Sequence, residues 1–303
     1  MHADIAMDYV RIANGICLPN SYTLIHKVRK EFIMFILEKF SLVILTRCNL
    51  KCKLCCEYVP QNKPFPDMTV EEAQKILDAA FDVADRIKTL HLTGGGEPFL
   101  HPRLSELIEV AMGYEECFDK LMLFTNTTVP VSQNILNTIK RYKEKIVVQL
   151  SLYGINPERE IKTVKALMDE GITCKIEKYY GDDQSFGGWV DFGGWEAKNR
   201  MPEELNRVFH SCSVTSILRG NWRTHNGKVH WCSRSQRGME LGLIPDVPDD
   251  YVDLLSDNLS RQEKRDKFQK IANARYLSAC NYCSGDAGTD DKAKRYPAAE
   301  QLL

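Results

Sequence analysis

From Ser41 onward, short apolar runs alternate with longer segments in which apolar residues recur every three or four positions. SLVILT (41–46) reads as a strand. The stretch 69–86 reads as a helix, with Thr69 and Glu72 at capping-box spacing and Ile76, Leu77, Ala80 and Val83 on one face. KTLHLT (88–93) is the next strand and runs into GGGEP, after which LSELIEVAMG returns to helical spacing. KLMLFTN (120–126), a helix near 131–142, IVVQLSL (146–152), a helix near 157–170 and TCKIEKY (173–179) continue the rhythm. Strands and helices in strict alternation predict an α/β fold with a parallel sheet wound from βα units.

In such a sheet the loops at the carboxyl ends of the strands build the site. The loop TRCNLKCKLCCEYVP (46–60), GGGEP, Asn126 and Ser151 all fall at such ends, so the polar and metal-binding features share one face. The rhythm stops at GDDQSFGGWVDFGGW (181–195), a loop in which Trp189 and Trp195 read as core anchors before they read as rings for stacking on a sugar. We therefore expect an N-terminal extension (1–39), a βα domain (40–200) and a smaller domain with a tail (201–303).

Composition narrows the function. The 303 residues carry a formal net charge of -1 with no long like-charge run, which argues against nucleic acid or an anionic membrane as partner and suits a small substrate. The N-terminus lacks the pattern of a signal peptide, and the apolar stretch 31–46 is broken by Glu38 and Lys39, so a cytoplasmic protein is expected. In that compartment eleven cysteines point to metal or catalysis before disulfides.

Cys48, Cys52 and Cys55 form a CxxxCxxC loop with Cys56 directly after it, and Cys212, Cys232, Cys280 and Cys283 form a later set ending in CxxC. Thiolates select zinc, copper(I) or iron-sulfur clusters. Zinc asks for four ligands, whereas three cysteines in a tight loop can hold three irons of a 4Fe-4S cube and leave the fourth open. A structural zinc loop and a zinc ribbon are the plainer readings of the two sets. Cys17, Cys117 and Cys174 read as small buried hydrophobes, and His210 and His230 are assigned no role.

The CxxxCxxC loop after the first strand, with Gly95-Gly96-Glu97-Pro98 closing the second and FLHP following, resembles the radical S-adenosylmethionine (radical SAM) superfamily over roughly residues 40–180. The resemblance implies a partial (β/α)6 TIM-like barrel and a 4Fe-4S cluster on Cys48, Cys52 and Cys55. The open iron of that cluster chelates the amino and carboxylate groups of S-adenosylmethionine. An external electron donor such as flavodoxin or ferredoxin then drives cleavage to a 5'-deoxyadenosyl radical. Gly95, Gly96 and Pro98 would let backbone approach the methionine part, Glu97 would orient its ammonium, and Asn126 and Ser151 would meet the ribose or carboxylate. Leu54 stands where many members carry an aromatic residue near the adenine.

The order of the C-terminal set resembles a twitch domain, the short form of the SPASM domain, which implies one auxiliary 4Fe-4S cluster. Its spacing is like that of alcohol-oxidising members of the 2-deoxy-scyllo-inosamine dehydrogenase type. The leading expectation is thus oxidation of a secondary alcohol of a carbohydrate or aminocyclitol, with the auxiliary cluster as electron acceptor. Epimerisation and peptide (RiPP) maturation are the alternatives, and a non-enzymatic iron-sulfur or zinc protein is the alternative of another class. Alcohol oxidation needs a base: Lys175, Lys178 and Tyr153 are the candidates, and strand alternation lets only one of the two lysines point inward. Cys56 is the candidate hydrogen donor for an epimerase.

Overall fold

The computed structural model describes residues 9–11, 17–19, 34–61, 64–187, 189–285 and 296–302. Residues 1–35 and 36–303 form two units. In the first, strands β1 (Tyr9–Arg11) and β2 (Cys17–Pro19) pair antiparallel; the side chain of Cys17 lies outside the described residues.

The second unit is built on the expected alternation: β3 (Ile36–Leu45), α1 (Val70–Val83), β4 (Arg86–Gly94), α2 (Leu104–Met112), β5 (Phe118–Thr125), α3 (Gln133–Arg141), β6 (Ile146–Leu152), α4 (Pro157–Met168) and β7 (Thr173–Lys178). Strands β3 to β7 pair parallel in sequence order. Leu42, Val43, Ile44 and Leu45 are all fully buried, as in a parallel sheet covered on both faces. Helix α1 begins with the expected capping box: Glu72 N donates to Thr69 Oγ1 at 3.1 Å and Thr69 N donates to Glu72 Oε2 at 2.7 Å, worth about 1 kcal/mol. Its buried residues Ile76, Leu77, Ala80 and Val83 are those on the face read from the periodicity.

Strand β3 starts five residues earlier than the apolar run suggested. Glu38 and Lys39, which break the run as a sequence, lie between the buried Leu37 and Phe40 near the start of the strand, and Glu38 pairs with Lys88 at 2.7 Å. Cys117 and Cys174 are half-buried and not the core residues expected.

Beyond residue 200 come α5 (Pro202–Ser211), α6 (Ser213–Ser216), β8 (Arg223–Thr224), β9 (Lys228–His230), α7 (Ser233–Glu240), β10 (Tyr251–Asp253), α8 (Arg261–Ala272) and a 3-10 turn at Ser278–Tyr282. Strand β8 joins β3 in parallel, so the sheet runs β10-β9-β8-β3-β4-β5-β6-β7. Trp222, Trp231 and Phe268 pack edge to face beneath it, and Arg261 and Arg265 of α8 pair with Asp85 behind α1. Among the described residues no helix is long and apolar enough to cross a membrane.

Candidate active site

The cysteine loop leaves the carboxyl end of β3 and is locked to the glycine turn that leaves β4. Gly95 N donates to Leu45 O at 2.7 Å and Glu97 N to Arg47 O at 2.9 Å. Between them, a Cβ on Gly96 would lie 1.9 Å from Arg47 O, against backbone that cannot move aside. The glycine therefore serves close approach of two protein strands first, whereas the sequence reading gave it to the cofactor.

Glu97 is buried, with Oε1 accepting from Phe99 N at 3.0 Å and Oε2 from Asn126 N at 2.6 Å. Burial raises its carboxyl to about 7, against the lowering effect of those bonds. It ties the turn to the end of β5 while still lining the pocket. Asn126 is spent in the same way: Oδ1 accepts from Thr128 N and Thr128 Oγ1 at 3.0 and 2.6 Å, and Nδ2 donates to Asn49 Oδ1 at 3.0 Å. The intervening Thr127 has φ 59, a left-handed conformation that costs a β-branched residue about 1–3 kcal/mol. Bonds from its hydroxyl to Ser151 O and from Thr163 Oγ1 to its carbonyl, each 3.2 Å, hold it there.

These loops enclose a pocket of about 250 Å³ lined by Cys48, Cys52, Leu54, Cys55, Cys56, Gly95, Gly96, Glu97, Pro98, Asn126, Ser151, Tyr153 and Trp189, among others. Every residue expected to hold a cluster or cofactor in the βα domain is thus on one surface. Tyr153, Tyr179 and Trp189 form an aromatic wall, with centroids 5.2 to 6.3 Å apart. Trp189 therefore faces the pocket, where a linker anchor was the first expectation.

The base candidates fare differently. Lys175 pairs with Glu177 at 2.9 Å and Lys178 with Asp183 at 2.5 Å, and neither lines the pocket. Tyr153 does line it, but burial holds its phenol well above the ordinary range, so it stays protonated and is not available as a base. Alternation along β7 sets Glu177 beside Lys175, whereas Asp183, the partner of Lys178, lies beyond the strand.

The thiols of Cys48 and Cys55 are pushed up to about 12 and about 11, chiefly by burial, and Cys52 and Cys56 are raised for the same reason. A dry thiol keeps its proton until a metal takes the proton's place. Cys48 and Cys52 receive donors suited to a thiolate: Leu50 N to Cys48 Sγ at 3.4 Å, and Gln301 Nε2 to Cys52 Sγ at 3.3 Å. The donor set and the pocket fit a cluster with a ligand beside it.

The loop continues into Glu57, whose carboxylate accepts both terminal nitrogens of Arg223 at 2.5 and 2.6 Å. Arg223 Nε donates on to Gln236 Oε1 at 2.6 Å. Tyr58, with φ 57, accepts from Arg234 Nη1 at 2.9 Å, and that guanidinium lies 3.6 Å from the Trp195 ring centroid. Sequence reasoning missed Glu57, Tyr58, Arg223 and Arg234, because nothing in the local pattern of either segment refers to the other.

Arg234 also lines a second cavity, with Cys212, Cys232, Cys280 and Cys283 around it and Val208, Phe209, Val214, Trp231 and Leu277 as apolar walls. Burial pushes Cys232 up to about 12 and raises Cys280 and Cys283. His230 is buried beside this set, with its Nδ1 3.0 Å from Ser235 Oγ, while His210 is exposed at the end of α5. Among the described residues no three Cys, His, Asp or Glu side chains converge as a single metal ion requires. Cubane ligands, each on its own iron, need not converge in that way.

Comparisons with known proteins bear on this arrangement. Residues 42–176 match the family model of the Radical SAM superfamily. The antilisterial bacteriocin subtilosin biosynthesis protein AlbA of Bacillus subtilis (strain 168) is 32% identical over 160 residues, 48% of this chain and 33% of that protein. The chain thus spans about a third of the length of the curated relative it matches. Native anSMEcpe with bound AdoMet superposes with a TM-score of 0.51 at 13% identity, over 82% of this chain and 88% of that one, which establishes the fold. BtrN in complex with AdoMet and 2-DOIA gives a TM-score of 0.43 at 14% identity, over 88% and 98% of the two chains.

Proposed function

We propose that the radical SAM superfamily domain over residues 42–176 makes this chain an S-adenosylmethionine-dependent oxidoreductase with two 4Fe-4S clusters. Cys48, Cys52 and Cys55 would hold the first, and Cys212, Cys232, Cys280 and Cys283 the second, in a twitch-like region. The observation that carries the reading is the pairing of three cysteines on a pocket of about 250 Å³ that has polar groups in its wall with four on a smaller apolar cavity. When bound, the first cluster and S-adenosylmethionine supply a 5'-deoxyadenosyl radical that takes a hydrogen atom from the substrate, and the second supplies a one-electron acceptor.

The chain's own residues do the rest. Gly96 and Glu97 hold the two loops in register, Asn126 and Asn49 brace Cys48, and the aromatic wall of Tyr153, Tyr179 and Trp189 keeps water from the reacting carbon. Oxidation removes a hydrogen atom, an electron and a proton from the substrate. Lys175 and Lys178 are not placed to take that proton, which reduces the support for a secondary alcohol of a carbohydrate or aminocyclitol. A second reading, peptide modification, is favoured by the 32% identity to a bacteriocin biosynthesis protein.

Anaerobic reconstitution with iron and sulfide, then dithionite and S-adenosylmethionine, tests the proposal. About eight irons per chain and release of 5'-deoxyadenosine are expected. About four irons would indicate a zinc ribbon in the second site, and no 5'-deoxyadenosine would sink the radical reading altogether. With substrate, loss of two hydrogen masses supports oxidation; solvent deuterium at a retained C-H centre would instead assign epimerisation, with Cys56 as donor.

A further inference from the structure

Residues 296–302 run along the cysteine loop as an irregular segment with a single antiparallel bridge between Cys52 and Gln301. Lys53 N donates to Glu300 O at 2.7 Å and Leu302 N to Lys51 O at 2.8 Å. Buried Ala299 turns the segment at φ 52 and packs on Leu50 and Cys52. Gln301 is thereby set against the middle ligand of the loop. The orientation of its amide is decided by its partners: Lys51 N is a donor and meets Oε1 at 2.7 Å, while Ala299 O is an acceptor and meets Nε2 at 2.6 Å. The other Nε2 hydrogen is directed at Cys52 Sγ, 3.3 Å away and 249 residues distant in the chain.

The geometry points to Gln301 as a positioning residue for the first cluster, tuning its reduction potential through an N-H to sulfur bond on Cys52. This rests on the reading that Cys48, Cys52 and Cys55 hold a 4Fe-4S cluster. Reduction adds negative charge that spreads onto the ligand sulfurs, so a donor on Cys52 stabilises the reduced state and raises the potential. The backbone bonds from Lys53 N to Glu300 O and from Leu302 N to Lys51 O do not involve the Gln301 side chain and remain in its variants, while its own bonds to Lys51 N and Ala299 O change with it.

The test uses the full, reconstituted chain and follows the midpoint potential of the EPR signal that changes when S-adenosylmethionine is added, which identifies the first cluster. Gln301→Ala should shift the midpoint to more negative values with iron content unchanged. Gln301→Glu keeps the acceptor for Lys51 N, loses the donor and adds negative charge, and should shift it further. An unchanged midpoint in both variants overturns the proposal, whether or not iron is lost, since a purely mechanical latch would affect retention alone. Absence of any SAM-responsive signal in the unaltered chain would instead overturn the cluster reading beneath it.

Discussion

The two cysteine sites in this chain are built for different company. The first is a loop with the three cysteines proposed as ligands, on a pocket of about 250 Å³ whose wall mixes glycine backbone, Asn126, Ser151 and aromatic rings. The second has four cysteines and almost wholly apolar walls from Phe209, Val214, Trp231, Leu277 and Ala279. Ligand number and wall chemistry change together. A site with an open coordination position needs room and polar groups for what binds there, whereas a closed site needs dry surroundings that hold the ligands still. Joining them is a rigid seam, Glu57 to Arg223 and Tyr58 to Arg234, that leaves the first site one residue after its last thiol.

The largest effect that separates the sites is expected from Gly96→Ala. Its Cβ meets the Arg47 backbone at 1.9 Å, so the loop cannot close and first-site iron and 5'-deoxyadenosine formation should both be lost. Iron analysis would show about four irons remaining in the second site, and losing all of them would break the independence of the two.

Next is the seam. Arg223→Met leaves the Glu57 carboxylate buried without its partner and should cost about 3–5 kcal/mol in urea unfolding of the apo chain, with Glu57→Gln added on top restoring part of it. Full additivity of the two single changes would show that the pair does not couple the regions.

The two regions each bury a neutral histidine, His91 under the first site and His230 beside the second, and burial lowers both to about 3. Their folded values lie below the unfolded one near 6.5, so the stability they contribute is complete above that pH and is lost as pH falls toward 3. The slope is about 1.4 kcal/mol per pH unit per histidine. His91→Gln should take about 1.4 kcal/mol per pH unit out of the slope between pH 6 and about 4.5, read from urea midpoints; an unaltered slope would place the acid sensitivity elsewhere.

The smallest effect is expected from Cys56→Ala. The thiol lines the pocket but is surplus to the three ligands, so iron content and 5'-deoxyadenosine release should stay at the unaltered level. Loss of about four irons would make Cys56 a ligand and erase the contrast of three against four.

The βα order was legible because its signals are local: a capping box at Thr69, a period of 3.6 along 70–83 and short apolar runs in the strands. That the cysteine loop and GGEP meet at one pocket was legible for the same reason, since each is a run of consecutive residues at a strand end. Lys175 and Lys178 show where this stops. Alternation puts Glu177 beside Lys175 on β7, yet the partner of Lys178, Asp183, comes from the loop beyond the strand, which the pattern does not address. Tyr153 shows the same limit for acidity, because burial, and not residue type, raised its phenol.

By itself the sequence determined a parallel α/β core and two cysteine sets on it, with the first set at the strand ends where a ligand pocket forms. Only the tertiary structure decided that β8 adds to the edge of β3, that Arg223 closes on Glu57 and that Gln301 reaches Cys52. Those pairings join residues up to 249 positions apart. Local propensity carries no information about them, and they form only when burial of the sheet brings the segments together.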